Sequence, residues 1–351
     1  MACFHPMTLW IRKDRPIYFP KLNQQEQARY NKTRFQPRKG YIPIEVPCGK
    51  CLGCKLDKAD QWATRMCLEA KQWHSNYFLT LTYRDDQLPL QGGKMSLNKR
   101  DVQNFWKRLR YEFKGEIPWE NPKNGKIENP IRYFVCGEYG PKGGRPHYHA
   151  AVFNLKLTDL KPYKQNREGD WLYNSPTLER IWGHGYVVIG LLQPKSANYI
   201  ARYVQKKAGI AGKTRMWIYD NKKCERHIMV RKNQPQEEYV NMSTGVGLGR
   251  TWWEENKQKV KKLGSILLKI GDKVKAKAIP RYFKKLWEAE DWEDYEFNKY
   301  ENMIKALESR KKILDKELTE GNEDLRWKKH LEKQERLLTE KAKYLKRSNF
   351  I

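Results

Sequence analysis

The run Arg145-Pro146-His147-Tyr148-His149-Ala150-Ala151-Val152-Phe153 leaves this chain few choices. It follows the turn-rich Gly140-Pro141-Lys142-Gly143-Gly144, and across that turn lies a second apolar segment, Ile131-Arg132-Tyr133-Phe134-Val135-Cys136-Gly137-Glu138. Two apolar runs joined by glycine and proline predict a β-hairpin. On a strand, residues i and i+2 share a face, so His147 and His149 point the same way. A roughly symmetric loop sets Glu138 opposite His147, and cross-strand partners also share a face. Two imidazoles and a carboxylate form half a coordination shell for a divalent cation, with open positions for water or phosphate oxygens. Mn²⁺ accepts imidazole readily and Mg²⁺ prefers oxygen, so either fits. A His-x-His pair alone also occurs on sheets without function.

The charge balance says what such a cation would act on. The 351 residues include 70 Lys and Arg against 41 Asp and Glu, a net charge of +29. That excess points to a polyanion, with nucleic acid the first choice. A sticky, ribosome-like basic protein is the duller alternative. Aromatic residues make up 13% of the chain and interleave with the charges, as on surfaces that stack single-stranded bases. No stretch approaches the roughly 18 apolar residues of a membrane span. The N-terminus, Met1-Ala2-Cys3-Phe4-His5-Pro6, has no apolar signal core. These features predict a protein that stays in a cytoplasm.

Three regions are expected: an N-terminal segment over 1–75, a catalytic core over 76–255, and a basic helical region over 256–351. The first fifty residues read as irregular, interrupted by Pro16, Pro20, Pro37, Pro43 and Pro47. A helix is expected over Leu56–Trp73 and a strand over Tyr77–Tyr83. Ser96 reads as the N-cap of a helix through Phe113, with Val102, Phe105, Leu109 and Phe113 on one face. Further elements follow: a helix at Leu178–Trp182, a strand at Tyr186–Ile189 and a helix at Ser196–Val204. The fold class is α+β, a central antiparallel sheet flanked by helices, expected on one face. Tyr300, Ile304, Leu307, Leu314 and Leu318 recur at helical spacing. Gly321-Asn322 breaks that run and Leu325–Leu345 resumes it, which predicts a helical hairpin or short coiled coil.

Tyr199 and Tyr203 stand four residues apart, so a helix puts them on one face, with Lys206 and Lys207 a turn further on. A phenol with an ordinary pKa near 10 is a poor nucleophile. A cation polarising a phosphodiester, with lysines nearby, makes its attack feasible. The bland reading is two tyrosines that pack a helix onto the sheet.

Three cysteines fall within seven residues at Cys48, Cys51 and Cys54. Zinc takes four tetrahedral Cys or His ligands, and Cys3 or His5 can supply the fourth. An iron–sulfur cluster or three unrelated thiols are the alternatives. Cys67, Cys136 and Cys224 read as ordinary buried cysteines. Thr244-Gly245-Val246-Gly247-Leu248-Gly249 lacks the Lys-Ser/Thr of a P-loop and reads as a turn before Arg250-Thr251-Trp252-Trp253.

Together, His147-Tyr148-His149, Tyr199, Tyr203 and the lysine pair resemble the HUH endonucleases, the His-hydrophobe-His single-strand nickases. Pro47-Cys48-Gly49-Lys50-Cys51-Leu52-Gly53-Cys54, Phe78-Leu79-Thr80-Leu81-Thr82-Tyr83 and Gly137-Glu138-Tyr139-Gly140 are similar to rolling-circle replication initiators of the Microviridae, in particular the gokushovirus branch. The resemblance spans about residues 1–255, with its motifs in order. It implies an HUH fold, a divalent cation on Glu138, His147 and His149, and catalysis by Tyr199, Tyr203 and Lys206. It further implies single-stranded DNA at a viral origin as substrate and a covalent 5′-phosphotyrosine adduct. Rejoining would circularise the displaced strand. The setting implied is a host bacterial cytoplasm, with a host helicase and polymerase, since no helicase motif is visible. Competing readings are a non-catalytic, zinc-stabilised nucleic-acid-binding protein and a plasmid relaxase or transposase of HUH type. The latter two usually use one tyrosine or another arrangement.

Overall fold

In the computed structural model the described residues are 3–12, 41–140, 143–166, 168–206, 215–220, 225–230, 234–317 and 321–344. Seven of their strands form one antiparallel sheet: β1 (Asn76–Thr82), β2 (Arg132–Tyr139), β3 (Pro146–Phe153), β4 (Lys161–Gln165), β5 (Trp171–Asn174), β6 (Val187–Leu191) and β7 (Tyr239–Met242). Their order across the sheet is β4-β5-β6-β1-β3-β2-β7, so the predicted hairpin strands β2 and β3 lie deep inside it. From His149 to Phe153, β3 is buried without interruption. A strand hidden on both faces needs cover on both.

That cover comes from helices on the two sides, where the sequence led us to expect one. Helices α2 (Lys99–Glu112) and α3 (Pro176–Trp182) pack on one face, burying Val102, Phe105, Trp106 and Leu109 with Leu178, Ile181 and Trp182 against Leu79, Leu81, Tyr148, Ala150 and Val152. On the other face, α1 (Leu52–Ala70) and α4 (Pro194–Lys206) bring Ala59, Ala63, Met66, Ala197, Ile200 and Ala201 onto Phe78, Phe134, Cys136, Ala151 and Phe153. Alternation that looked like an inside and an outside is in fact two insides.

Local chemistry sets the helix starts. Asn98, and not Ser96, caps α2: its side chain accepts from the Arg100 N–H. Ser96 Oγ instead accepts from the Gln236 N–H at 2.9 Å. Ser175 caps α3 by accepting from the Leu178 N–H, with Pro176 in the first turn. Gly137 is required by packing: a Cβ there would lie 3.0 Å from both the Tyr148 and Tyr239 rings.

A third cluster follows the sheet. Helix α5 (Arg250–Leu263), the hairpin Ile266–Ile270/Lys273–Lys277 and α6 (Arg281–Glu290) bury Trp253, Val260, Ile266, Leu268, Phe283 and Trp287 with Leu68 of α1. The hairpin was not foreseen, although Gly271-Asp272 between its strands is a two-residue turn signal.

By its contacts the chain forms two compact units, Met1–Asp57 with Ile304–Lys346, and Lys58–Met303 with the last five residues. In the first, Met7–Arg12 pairs antiparallel with Tyr41–Val46, a ribbon the prolines had argued against. Helices α7 (Trp292–Lys316) and α8 (Glu323–Tyr344) realise the expected C-terminal helices on either side of Gly321-Asn322. Arg326 donates to the Glu317 carbonyl at 3.1 Å, and Arg310 pairs with Asp324 at 2.8 Å. No helix among the described residues is long and apolar enough to cross a membrane.

A buried carboxylate ties the second unit together. Glu69, 2% exposed, pairs with Arg132 of β2 at 2.6 Å. It also accepts from Trp73 Nε1 at 3.0 Å and from the Gly249 N–H at 2.6 Å, while Arg132 donates to the Val246 carbonyl at 2.9 Å. Removing one member of a buried pair strands the other charge. Glu69→Ala is therefore expected to lower unfolding stability by about 3–5 kcal/mol, with Glu69→Gln milder, as read from urea denaturation midpoints. A loss for Glu69→Ala no larger than the ~1 kcal/mol of a surface pair would show that the contact does not hold the unit.

Candidate active site

Register builds the site. Glu138 stands opposite His147 across β2 and β3, and His149 is flanked by Cys136 on β2 and Thr80 on β1. The sheet thus delivers Glu138, His147 and His149 to one face, as the spacing predicted. Their ligand atoms lie within 4.8 Å of one another. Both imidazoles aim Nε2 at a single oxygen: His147 reaches Glu138 Oε1 at 2.6 Å and His149 reaches it at 3.1 Å. His149 is fully buried, Glu138 is 5% exposed and His147 is 13% exposed, so the cluster opens to solvent on the His147 side.

The far sides of the rings decide what these nitrogens carry. His147 Nδ1 faces the Arg145 carbonyl at 3.1 Å. A carbonyl only accepts, so Nδ1 bears the proton and donates it. In the neutral ring Nε2 is then a lone pair facing a carboxylate lone pair, and a proton or a cation must lie between them. His149 Nδ1 is held by Thr80 Oγ1 at 3.0 Å. Fixing one imidazole nitrogen so that the other faces the ion is the usual second layer of a metal centre. Burial raises the Glu138 carboxyl pKa, but the His147 and His149 hydrogen bonds outweigh it and hold the group at about 2. The donor set fits a divalent cation.

Tyr199 of α4 comes to the same place. Its ring lies edge-on to His149, centroids 5.3 Å apart, and Phe78 stacks on His149 at 5.5 Å while meeting Tyr199 at 6.2 Å. Tyr203 and Lys206 belong to the last turns of α4; their side chains, like Lys207 and Cys224, lie outside the described residues. Tyr148, between the two histidines, points to the opposite face. Its hydroxyl accepts from the Asn98 N–H at 2.8 Å and lies 3.0 Å from the Tyr83 hydroxyl. Burial pushes both phenols away from ionisation.

Sequence reasoning passed over Phe78 and Thr80, taken as mere sheet residues. The signal was available: Thr80 has the parity that faces His149 once β1 and β3 are neighbours.

The second cluster lies in the first unit. Cys3, Cys48, Cys51 and Cys54 gather their sulfurs within 4.8 Å, with Cys3–Cys51 at 3.9 Å and Cys48–Cys54 at 4.0 Å. Zinc–sulfur bonds of about 2.3 Å in a tetrahedron set sulfurs roughly 3.8 Å apart. Backbone N–H groups of Phe4, Cys48 and Cys51 donate to sulfurs of the cluster at 3.4, 3.2 and 3.3 Å. Burial pushes the Cys51 thiol up, yet the Cys54 and Phe4 N–H groups prevail and draw it to about 6. Of the two candidates for the fourth position, Cys3 joins the cluster, whereas His5 pairs with Glu335 at 2.8 Å. Cys136 is buried and Cys67 half-buried.

Comparison with known proteins agrees with this geometry. The family described as replication-associated protein ORF2 matches residues 76–208, the span that carries β1, the histidines and α4. Replication-associated protein ORF2 of Spiroplasma virus 4 is 33% identical over 322 residues, 91% of this chain and 88% of that protein. The chain belongs to this family of phage replication-associated proteins. Replication-associated protein VP4 of Bdellovibrio phage phiMH2K is 30% identical over 78% of the chain and 74% of its own length. Replication-associated protein ORF4 of Chlamydia phage 1 is 34% identical over 46% of the chain and 38% of its own length. No solved structure matches.

Two outcomes follow from the two clusters. Thr80→Val removes the hydroxyl that orients His149 while keeping the strand's shape, and is expected to weaken Mn²⁺ binding about 10- to 100-fold by calorimetric titration. An unchanged affinity would mean that Thr80 does not orient the ligand. Purified protein is expected to carry zinc by elemental analysis, reduced in a Cys48→Ser/Cys51→Ser variant. Iron in place of zinc would reassign the cluster.

Proposed function

We propose that this replication-associated protein is a rolling-circle initiator, a metal-dependent nickase and strand transferase acting on single-stranded DNA at a phage origin. The observation that carries this reading is the convergence of Glu138, His147 and His149 on one point, with the Tyr199 ring packed against His149. The competing reading, a non-catalytic binding protein, gives no reason for two imidazole nitrogens to share one carboxylate oxygen beside a tyrosine.

A divalent cation held by Glu138, His147 and His149 supplies polarisation of the scissile phosphate and stabilises the charge that builds on it. The chain's own residues do the rest. Arg145 and Thr80 hold the two rings by their Nδ1 atoms, so the Nε2 lone pairs stay directed. Phe78 keeps His149 and Tyr199 in fixed relation. Tyr199 attacks phosphorus: the O–P bond forms, the bond to the 3′ oxygen breaks, the phenolic proton passes to solvent and the 3′ oxygen takes up a proton. The product is a 5′-phosphotyrosine and a free 3′-hydroxyl.

Tyr203, four residues along α4, supplies a second attack when the origin has been copied. The 3′-hydroxyl it releases on the displaced strand then attacks the first phosphotyrosine, closes the circle and returns Tyr199 as a phenol. Lys206, one turn beyond Tyr203, adds positive charge for the phosphate backbone. Opening of the duplex falls to a host helicase and synthesis to a host polymerase.

The test uses labelled single-stranded oligonucleotides tiling the cognate phage genome, with Mn²⁺ or Mg²⁺, read on denaturing gels. Wild-type protein is expected to cleave one site and to form a slow-migrating covalent species. Tyr199→Phe/Tyr203→Phe is expected to lose the adduct entirely, and His147→Ala to lose at least about a hundredfold in rate, the scale of a removed electrostatic contribution to the transition state. Tight binding with no adduct on any tile would sink the nickase and leave a binding protein.

A further inference from the structure

A cavity of about 290 Å³ opens on the same face of the sheet as the histidines, between the β4–β5 loop and the start of α4. Phe78 belongs to both places. It lines the cavity and it stacks on His149. Ser196, also in the lining, stands one turn before Tyr199 on α4. Gly190 faces Phe78 directly across β6 and β1. A side chain there would press on Leu172, 3.3 Å from the Cβ position, so glycine keeps the floor open.

The walls have two characters. Trp171, 50% exposed, and Tyr173 offer aromatic surface. Asp170, Asn166 and Gln193 bring a carboxylate and two amides. The carboxylate is braced: Asn166 Nδ2 donates to Asp170 Oδ2 at 3.2 Å and Gln193 Nε2 to Oδ1 at 3.4 Å. In a chain of net charge +29, a fixed carboxylate beside a DNA-cutting centre works against phosphate affinity. It is suited to something else that single-stranded DNA offers, the N–H donors of an unpaired base.

We propose that this cavity is a base-reading subsite that takes one unpaired guanine next to the scissile phosphate; it rests on the nickase reading only for the location of that phosphate. Aromatic rings with a polar rim suit a single base, whose faces stack and whose edge is read by hydrogen bonds. A carboxylate only accepts. Guanine alone among the four bases presents two adjacent donors, N1–H and the 2-amino group, on its Watson–Crick edge, matching two carboxylate oxygens. Adenine and cytosine set a ring-nitrogen acceptor beside their amino group, and thymine flanks one N–H with two carbonyls, so each turns an acceptor toward Asp170. The neighbouring amides of Asn166 and Gln193 supply donors for the guanine O6.

The experiment measures binding of the full-length protein, by fluorescence anisotropy, to 12-nucleotide oligothymidylate carrying one central guanine, inosine, adenine, cytosine or thymine. The guanine oligonucleotide is expected to bind roughly 5- to 150-fold tighter than the all-thymine one, the range of a good bidentate base contact. Inosine, which lacks the 2-amino group, is expected to lose much of that gain. In Asp170→Asn the ratio of guanine to thymine affinity is expected to collapse. Equal binding of all five, preference for another base, or a guanine preference that survives Asp170→Asn would each overturn the proposal. Should Asp170→Asn fail to fold by circular dichroism, the wild-type comparison of guanine with inosine decides. Guanine selection without any tyrosine adduct would keep the subsite and remove the nickase; an adduct without selection would do the reverse.

Discussion

The site depends on the register of three neighbouring strands. Side chains on a strand alternate faces, so slipping β3 by one residue against β1 and β2 would turn His147 and His149 to the α2 side and put Tyr148 in their place. Several contacts forbid the slip together. Tyr148 fits only opposite Gly137, and its hydroxyl bonds to Asn98 at the start of α2. Thr80 and Glu138 bond to His149 and His147 only in the observed register. The apolar residues further along β3 anchor the strand in two cores at once. The residue between the histidines, seemingly a spacer, is the one that locks them in position.

A second constraint works at right angles to the first. Helix α1 must sit on the histidine face without filling the site. Its small residues Ala59 and Ala63 allow close approach to the sheet, and Glu69 fastens its far end to Arg132 of β2 and to the Gly249 N–H. Arg65, between Trp62 and Tyr282 at 4.3 and 4.1 Å, donates to the Leu248 carbonyl at 3.1 Å. Polar groups buried this deeply cost free energy unless each is satisfied. Here they are cross-linked into one network, which is what rigidity around a reaction centre requires.

The sequence made the site more legible than the fold around it. Glu138, His147 and His149 could be found because a hairpin with a short loop is local, and parity along two strands is enough to bring them together. Cys3 and the helical spacing of Tyr199 and Tyr203 were legible for similar reasons of spacing. What escaped was non-local. Thr80 and Phe78 matter only because β1 pairs with β3 across some seventy intervening residues, a pairing no periodicity announces. The two-sided burial of the sheet was misread because Tyr148 and Tyr133, with their polar ends, mimic the outward residues of an exposed face. The ribbon Met7–Arg12/Tyr41–Val46 escaped because its partners are distant in sequence and Pro43 sits within one strand, a position tolerated where the missing N–H is not needed.

Charge and geometry divide the labour of recognition. A surplus of 29 positive charges attracts any single strand, and that attraction weakens with salt and carries no information about sequence. It cannot choose one phosphodiester among thousands. Choice needs groups that act at short range and lose free energy when mismatched, which in a basic protein means braced acceptors rather than more lysines. Two carboxylates on this face are held in that way, Glu138 by two histidines and Asp170 by two amides. In our reading the first fixes where a phosphate can be activated and the second which base lies beside it. Phe78, touching His149 on one side and lining the cavity on the other, is the physical link: a base seated wrongly in the cavity displaces the ring that keeps Tyr199 and His149 in register.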